Sequence, residues 1–111
     1  MANTFKNKFA ANVNHSAYVD LYTVPSSTTT IILELALCNK TANAVDVTVQ
    51  IQDTSDSNND FQVLDTVSIP ARTTLEPMGG QKYVLEATDV LRVKSGTASA
   101  LDVTLGIMEM T

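Results

Sequence analysis

The run Thr28-Thr29-Thr30-Ile31-Ile32-Leu33-Glu34-Leu35-Ala36-Leu37-Cys38-Asn39 decides the fold. Counting every second residue sets Ile31, Leu33, Leu35 and Leu37 on one face, and Thr30, Ile32, Glu34, Ala36 and Cys38 on the other. That is the period of a β-strand. One face is wholly aliphatic, and the other is still partly apolar through Ile32, Ala36 and Cys38. The pattern predicts a central strand whose second face is also covered, by a terminal segment or by a neighbouring subunit. Burying four large aliphatic side chains contributes about 1.5–3 kcal/mol each before entropy, so this strand is expected to centre the core.

Outward from it, the chain reads as more strands. Ala17, Val19, Leu21 and Thr23 alternate with Tyr18, Asp20, Tyr22 and Val24 before Pro25-Ser26-Ser27 breaks the ladder. After the polar turn Asn39 to Asn43, Val45, Val47, Val49 and Ile51 alternate with Asp46, Thr48, Gln50 and Gln52, which predicts a strand with one face in water and a hairpin with the preceding run. Phe61 to Ile69, Tyr83 to Leu85, Leu91 with Val93, and Leu101 to Met108 supply the rest. No segment has room for a long helix. The expected fold class is all-β, an antiparallel β-sandwich of seven to eight strands, jelly-roll or Ig-like. Ile31, Leu33, Leu35, Leu37, Val45, Val47, Val49, Leu101, Val103 and Leu105 are expected to share its interior.

Residues 2–16 show no clear alternation and are rich in Asn, with Phe5 and Phe9 four apart. They read as an extended N-terminal arm, residues 1–16, ahead of a single sandwich domain, residues 17–111. The two rings are expected to anchor the arm, and Ile32 marks the apolar second face of the organising strand. Phe5, Phe9 and Ile32 are therefore the candidate protein–protein contacts. In this reading the arm is an intermolecular clasp without which the sandwich still folds, and a trimer is expected ahead of a dimer.

Composition removes several functional classes. With 7 basic and 12 acidic residues among 111, a net charge of −5 and 5% aromatics, the chain lacks the basic footprint and stacking surfaces of a nucleic-acid binder. No window approaches the apolar length of a membrane span, and the first residues lack the apolar core of a signal peptide, so a soluble protein is expected. The single Cys38 has no disulfide partner and reads as a buried structural thiol, which leaves the compartment open but leaning to a reducing one. One His and one Cys are too few for a zinc site, and His15 lies far from a nucleophile in the sequence. The outward acids Asp46 and Asp102 read as solvated surface groups.

Asp53 to Asp60 is a polar loop, yet an EF-hand counted from Asp53 places Asn58 where Gly is needed and Leu64 where a bidentate Glu is needed. The loop, Asp56 and Asn58 included, is expected to be a solvated tip. Gly79-Gly80 precedes a strand, not the helix that a phosphate-binding loop opens. No enzyme activity, cofactor or metal is expected.

The order of the segments carries a resemblance. Met1-Ala2-Asn3, then Phe5-Lys6-Asn7, Val19-Asp20-Leu21-Tyr22-Thr23-Val24-Pro25-Ser26-Ser27-Thr28-Thr29-Thr30, Cys38-Asn39-Lys40-Thr41, Val45-Asp46-Val47-Thr48-Val49, Ile69-Pro70-Ala71-Arg72-Thr73-Thr74-Leu75 and Ala100-Leu101-Asp102-Val103-Thr104-Leu105-Gly106-Ile107-Met108-Glu109 together resemble small virion structural proteins of tailed bacteriophages, notably those of cyanobacteria. The likeness spans nearly the whole chain. It implies a non-enzymatic sandwich in the virion, a capsid decoration or cement protein with the major capsid protein as partner. The alternative it leaves open is a neck, tail or tail-fibre module, including one that binds a receptor or carbohydrate through Tyr18, Tyr22 or Tyr83.

Overall fold

The computed structural model describes residues 2–55, 58–78 and 81–111, and among these the chain forms nine strands and no helix. They are β1 (Asn3–Ala10), β2 (Val19–Thr23), β3 (Thr29–Asn39), β4 (Val45–Asp53), β5 (Asn59–Ile69), β6 (Thr74–Leu75), β7 (Tyr83–Leu85), β8 (Val90–Ser95) and β9 (Leu101–Met110). One sheet runs β1-β9-β3, with β6 and β7 both paired to the far edge of β3; the other runs β2-β8-β4-β5. All pairs are antiparallel. The pairing is nested, with β1 on β9, β2 on β8, β3 on β6 and β7, and β4 on β5. That order is a jelly roll, a hairpin rolled up on itself, and it decides between the two expected sandwich types.

The alternation read from the sequence holds where a strand is regular. Val45, Val47 and Val49 on β4, and Leu101, Val103, Leu105 and Ile107 on β9, are all buried between the sheets. It fails in β3. Ile32 pairs with Ile107 and Glu34 with Gly106, so Leu33 is an extra residue, a β-bulge, and the faces exchange there. Thr30 and Ile32 point inward before the bulge, and Leu35, Leu37 and Asn39 after it. Ile31 and Leu33, expected in the interior, face outward instead.

A second correction concerns β3 and β4, which do not form a hairpin. The chain crosses from one sheet to the other between them, and the fully buried Asn39 side chain holds the crossing. Its Nδ2 donates to Asn43 O (2.7 Å), Ile69 O (3.0 Å) and Pro70 O (3.2 Å), while Oδ1 accepts from Thr41 N (2.9 Å) and Thr41 Oγ1 (2.7 Å). These bonds satisfy carbonyls that a turn entering the interior would otherwise leave bare.

The segment read as an arm is extended, but most of it is strand. Asn3 to Ala10 lie on β9 from Met110 to Val103, Asn12 N donates to Asp102 Oδ1 (3.0 Å), and Val13 is buried with its N–H on Leu101 O (2.9 Å). The backbone, not the two rings, attaches it. Asp53 pairs with Asn59 at the mouth of the β4–β5 hairpin, and Thr54 and Ser55 just beyond it are tied sideways to the β7–β8 turn. Thr54 Oγ1 donates to Thr88 O, and Ser55 N to Asp89 Oδ1 (3.1 Å). Asn58 takes a positive φ of 56°, a conformation that Asn tolerates better than most residues. Asp56 and the Gly79-Gly80 pair lie outside the described residues.

Candidate functional site

The outer face of the first sheet is apolar in a way that the register makes explicit. Along β1 the odd positions Phe5, Asn7 and Phe9 share a face, and the even positions Thr4, Lys6 and Lys8 take the other. Lys6 turns inward to Glu109, whose side chain is buried, so the rings must point out. They do, Phe5 at 72% exposed and Phe9 at 67%.

Phe5 stands opposite Met108, Met108 opposite Ile31, and Ile31 opposite Val84, itself 62% exposed. Four apolar side chains on four strands thus form one cross-strand row on the outer face, with Leu33 exposed at the bulge and Phe9 at the far end of β1. Cross-strand neighbours sit about 4.5–5.5 Å apart, so the row is continuous. Isolated exposed hydrophobics are ordinary, whereas a contiguous row across a sheet marks an interaction surface.

Of the three contact residues expected from the sequence, the structure puts Phe5 and Phe9 on this face and Ile32 elsewhere. Ile32 has no exposed surface at all, because the bulge turns it into the core. The outward positions around it are Ile31 and Leu33. Met108 was legible as an outward position of β9, but Val84 lies in a strand of three residues, too short to show any period. Cys38, expected to be a buried thiol, is half-buried on the outer face beside Asp102 and Thr74.

Under β1 lies a buried polar cluster. Tyr22 Oη donates to Glu109 Oε2 (2.5 Å) and shares a 2.8 Å hydrogen bond with Thr30 Oγ1, while Lys6 Nζ meets Glu109 Oε1 at 2.9 Å. Burial, with the Glu109 carboxylate beside it, pushes the Tyr22 phenol up to about 12. The Tyr22 hydroxyl and then the Lys6 ammonium hold the Glu109 carboxyl below the usual carboxylate range. The folded state thus favours ionised Glu109 over the unfolded chain. The stability this contributes is complete above the unfolded carboxyl's range and is lost as pH falls through the folded value. The Tyr22 contribution has the opposite sense, complete below about 10 and lost as pH rises through about 12.

Glu109→Gln is accordingly expected to cost about 1–3 kcal/mol at neutral pH and to flatten the fall in melting temperature between about pH 5 and 3. Thermal melts of parent and variant across that range check both. Lys6→Ala, at a half-exposed ammonium, should cost about 1 kcal/mol or less.

Asp102 is half-buried as well. Burial works to raise its carboxyl, but the Asn12 N–H and the Lys40 ammonium at 3.1 Å outweigh it and hold it below the usual range. It is a strap for the N-terminal segment, not a free surface acid. Among the described residues, no three His, Cys, Asp or Glu side chains converge as a metal site would require.

A chain in the acid-stable capsid structure of Helicobacter pylori bacteriophage KHP30 superposes with a TM-score of 0.57 at 11% identity, covering 100% of this chain and 89% of that one. A chain of the Bacillus endospore appendages, described as disulfide-linked pili, superposes at 0.53 and 11% identity, covering 96% and 85%. A chain of the cyanophage Pam1 capsid gives 0.42 at 14% identity over 96% and 83%. No protein-family model matches the sequence, and no curated protein does. At these identities the likeness of the first two is one of fold.

One edge of the first sheet is β1. Its inward lysines, Lys6 and Lys8, place charge where an added strand would continue the sheet, a common device against edge-to-edge pairing. The rings on its other side are left free. Strand addition at this edge is thereby disfavoured.

Proposed function

We propose that the chain is a non-enzymatic structural protein of a tailed-phage virion, and within it a capsid decoration or cement protein that binds and stabilises the capsid lattice. The observation that carries this reading is the apolar row Phe5, Met108, Ile31, Val84 on the outer face of the first sheet, flanked by Phe9 and Leu33. Each phenylalanine can bury on the order of 150–250 Å² against an adjoining protein, which suits it to act as an anchor. The jelly-roll likeness to a chain in the KHP30 phage capsid supports the same reading. The partner is then the major capsid protein, and three copies gathered at a three-fold axis form the simplest arrangement. Neck, tail or tail-fibre membership is the rival location.

Two measurements test it. Purified virions run on a gel should carry the chain at hundreds of copies, in stoichiometric ratio to the major capsid protein. A ratio corresponding to about six to twelve copies moves it to the neck or tail, where rings of that size occur. Deleting residues 2–12 would strip an edge strand from β9, so substitution of the rings is the cleaner probe of docking. Phe5→Ser with Phe9→Ser should melt within about 3 °C of the parent yet bind expanded capsids about 100-fold more weakly or worse. Undiminished binding by that folded variant would remove the rings from the interface.

A further inference from the structure

The outer face of the second sheet has the opposite character. It presents Asp20, Arg92, Gln50 and Gln62 across its four strands, and beyond them a shallow cavity of about 270 Å³. Tyr18, one residue before β2 and 37% exposed, forms one wall, and Lys94 Nζ lies over its ring, 5.6 Å from the centroid. Lys94 stands opposite Thr48, whose Oγ1 accepts from Thr66 N (3.2 Å) at the irregular stretch of β5. Asp46 and Asp65 complete the lining.

Two carboxylates, an ammonium and two hydroxyls thus converge from three strands of one sheet, β4, β5 and β8, with an aromatic ring from the residue before β2. Apart from Lys94 over Tyr18 and the bonds of Thr66 to Thr48 and Asp65, they do not engage one another. The ion pairs among the described residues are Lys6 with Glu109, Lys40 with Asp102 and Arg92 with Asp20, so Lys94, Asp46 and Asp65 enter none of them. Among the described residues, Asp65 accepts only a long 3.2 Å bond from the adjoining Thr66 hydroxyl. Charged groups that line one cavity without pairing are free to hydrogen-bond a polar guest.

We propose that this cavity binds one neutral pyranose ring, with Tyr18 packing on its C–H face, Asp46 and Asp65 accepting from its hydroxyls, and Lys94 donating to its oxygens. An aromatic wall beside carboxylates and hydroxyls matches an object that is apolar on its ring faces and rich in donors around its rim. Two carboxylates against one ammonium leave the cavity net negative, which discriminates against uronic acids and sugar phosphates. The volume lies just below the usual range for small-molecule sites and the cavity is open, so one ring fits and the affinity is weak. The inference stands on the second sheet alone and does not depend on the virion reading.

Methyl α-D-glucopyranoside, methyl α-D-galactopyranoside and methyl α-D-mannopyranoside, titrated separately into the full-length ¹⁵N-labelled protein, test it. At least one should shift the amides of Thr48, Thr66 and Lys94 to Gly96, with a Kd of about 1–10 mM. Tyr18→Ala should weaken that binding about tenfold or more, Tyr18→Phe should retain it within about threefold, and Phe5→Ser on the other face should leave it unchanged. The absence of shifts with all three sugars at about 50 mM overturns the site. Shifts that survive Tyr18→Ala overturn the geometry, and a methyl glucuronide that binds as tightly as the neutral sugars overturns the assigned class. Because capsid binding is read in a separate assay, loss of either function leaves the other testable.

Discussion

Ile32→Ala is expected to lower the melting temperature by about 8–20 °C, while Leu33→Ala, one residue along the same strand, stays within about 4 °C of the parent. Ile32 is fully enclosed, facing Thr30 and Ile107 on neighbouring positions of the first sheet and the second sheet beyond. Truncating it removes buried aliphatic carbon and leaves a cavity that rigid strands on three sides cannot close, a loss of about 2–5 kcal/mol. Leu33 is 36% exposed at the bulge and gives up far less on truncation. A strict alternation through β3 demands the reverse ranking, with Leu33 interior and Ile32 outside. Thermal melts of the two variants therefore test the bulge itself: equal losses, or a larger loss at Leu33, would place the face exchange elsewhere.

That contrast also marks where the sequence stops being readable. The valines of β4 and the aliphatic positions of β9 follow a period of two because those strands run unbroken, and each was legible from its residues alone. The parity of β3 was not, because its bulge is defined by which residues of β9 stand opposite, and Gly106 and Ile107 lie some seventy positions away. Strand β1 was hidden for a different reason. As an edge strand it sets Thr4, Lys6 and Lys8 on the inward side, so the apolar alternation that reveals a strand is missing and an arm is the natural reading.

The candidate surface divides in the same way. Phe5 and Phe9 stood out as aromatic residues with no strand around them to bury them. Ile32 was drawn in by the mistaken parity, and Ile31, Met108 and Val84 become neighbours only once three registers are known. The sequence-local turn Asn39 to Asn43 suggested a hairpin because polar turn residues say that a chain reverses, not which sheet it enters next.

Asn39 decides that last point, and its replacement is the second large effect. Asn39→Ala removes the donor for Asn43 O, Ile69 O and Pro70 O together with the acceptor for Thr41 N and Oγ1. At a position with no exposed surface, the orphaned carbonyls cannot all turn to water, and each costs about 1–3 kcal/mol. A total loss of about 3 kcal/mol or more is expected, lowering the melting temperature by about 12 °C or more.

Asn39→Asp separates hydrogen bonding from packing, since it keeps the shape and the Thr41 acceptor but sets a carboxylate against three carbonyl oxygens. Burial and those dipoles must raise the new carboxyl above its unfolded value. The aspartate variant should then be most stable below about pH 4, where the carboxyl is protonated in both states and can still donate one bond. It should lose stability as pH rises through the folded value, the opposite sense to Glu109. Thr41→Val, which removes one of the two bonds to Oδ1 and the hydroxyl's own bond to Asn43 O (3.0 Å) but leaves all three carbonyls their Asn39 donor, should cost about 1 kcal/mol. If the aspartate variant is instead as stable at pH 7 as the parent, the amide is not donating to those carbonyls, and the crossing between the sheets must be held by the backbone bonds from Asn39 N to Thr73 O and Arg72 N to Thr41 O.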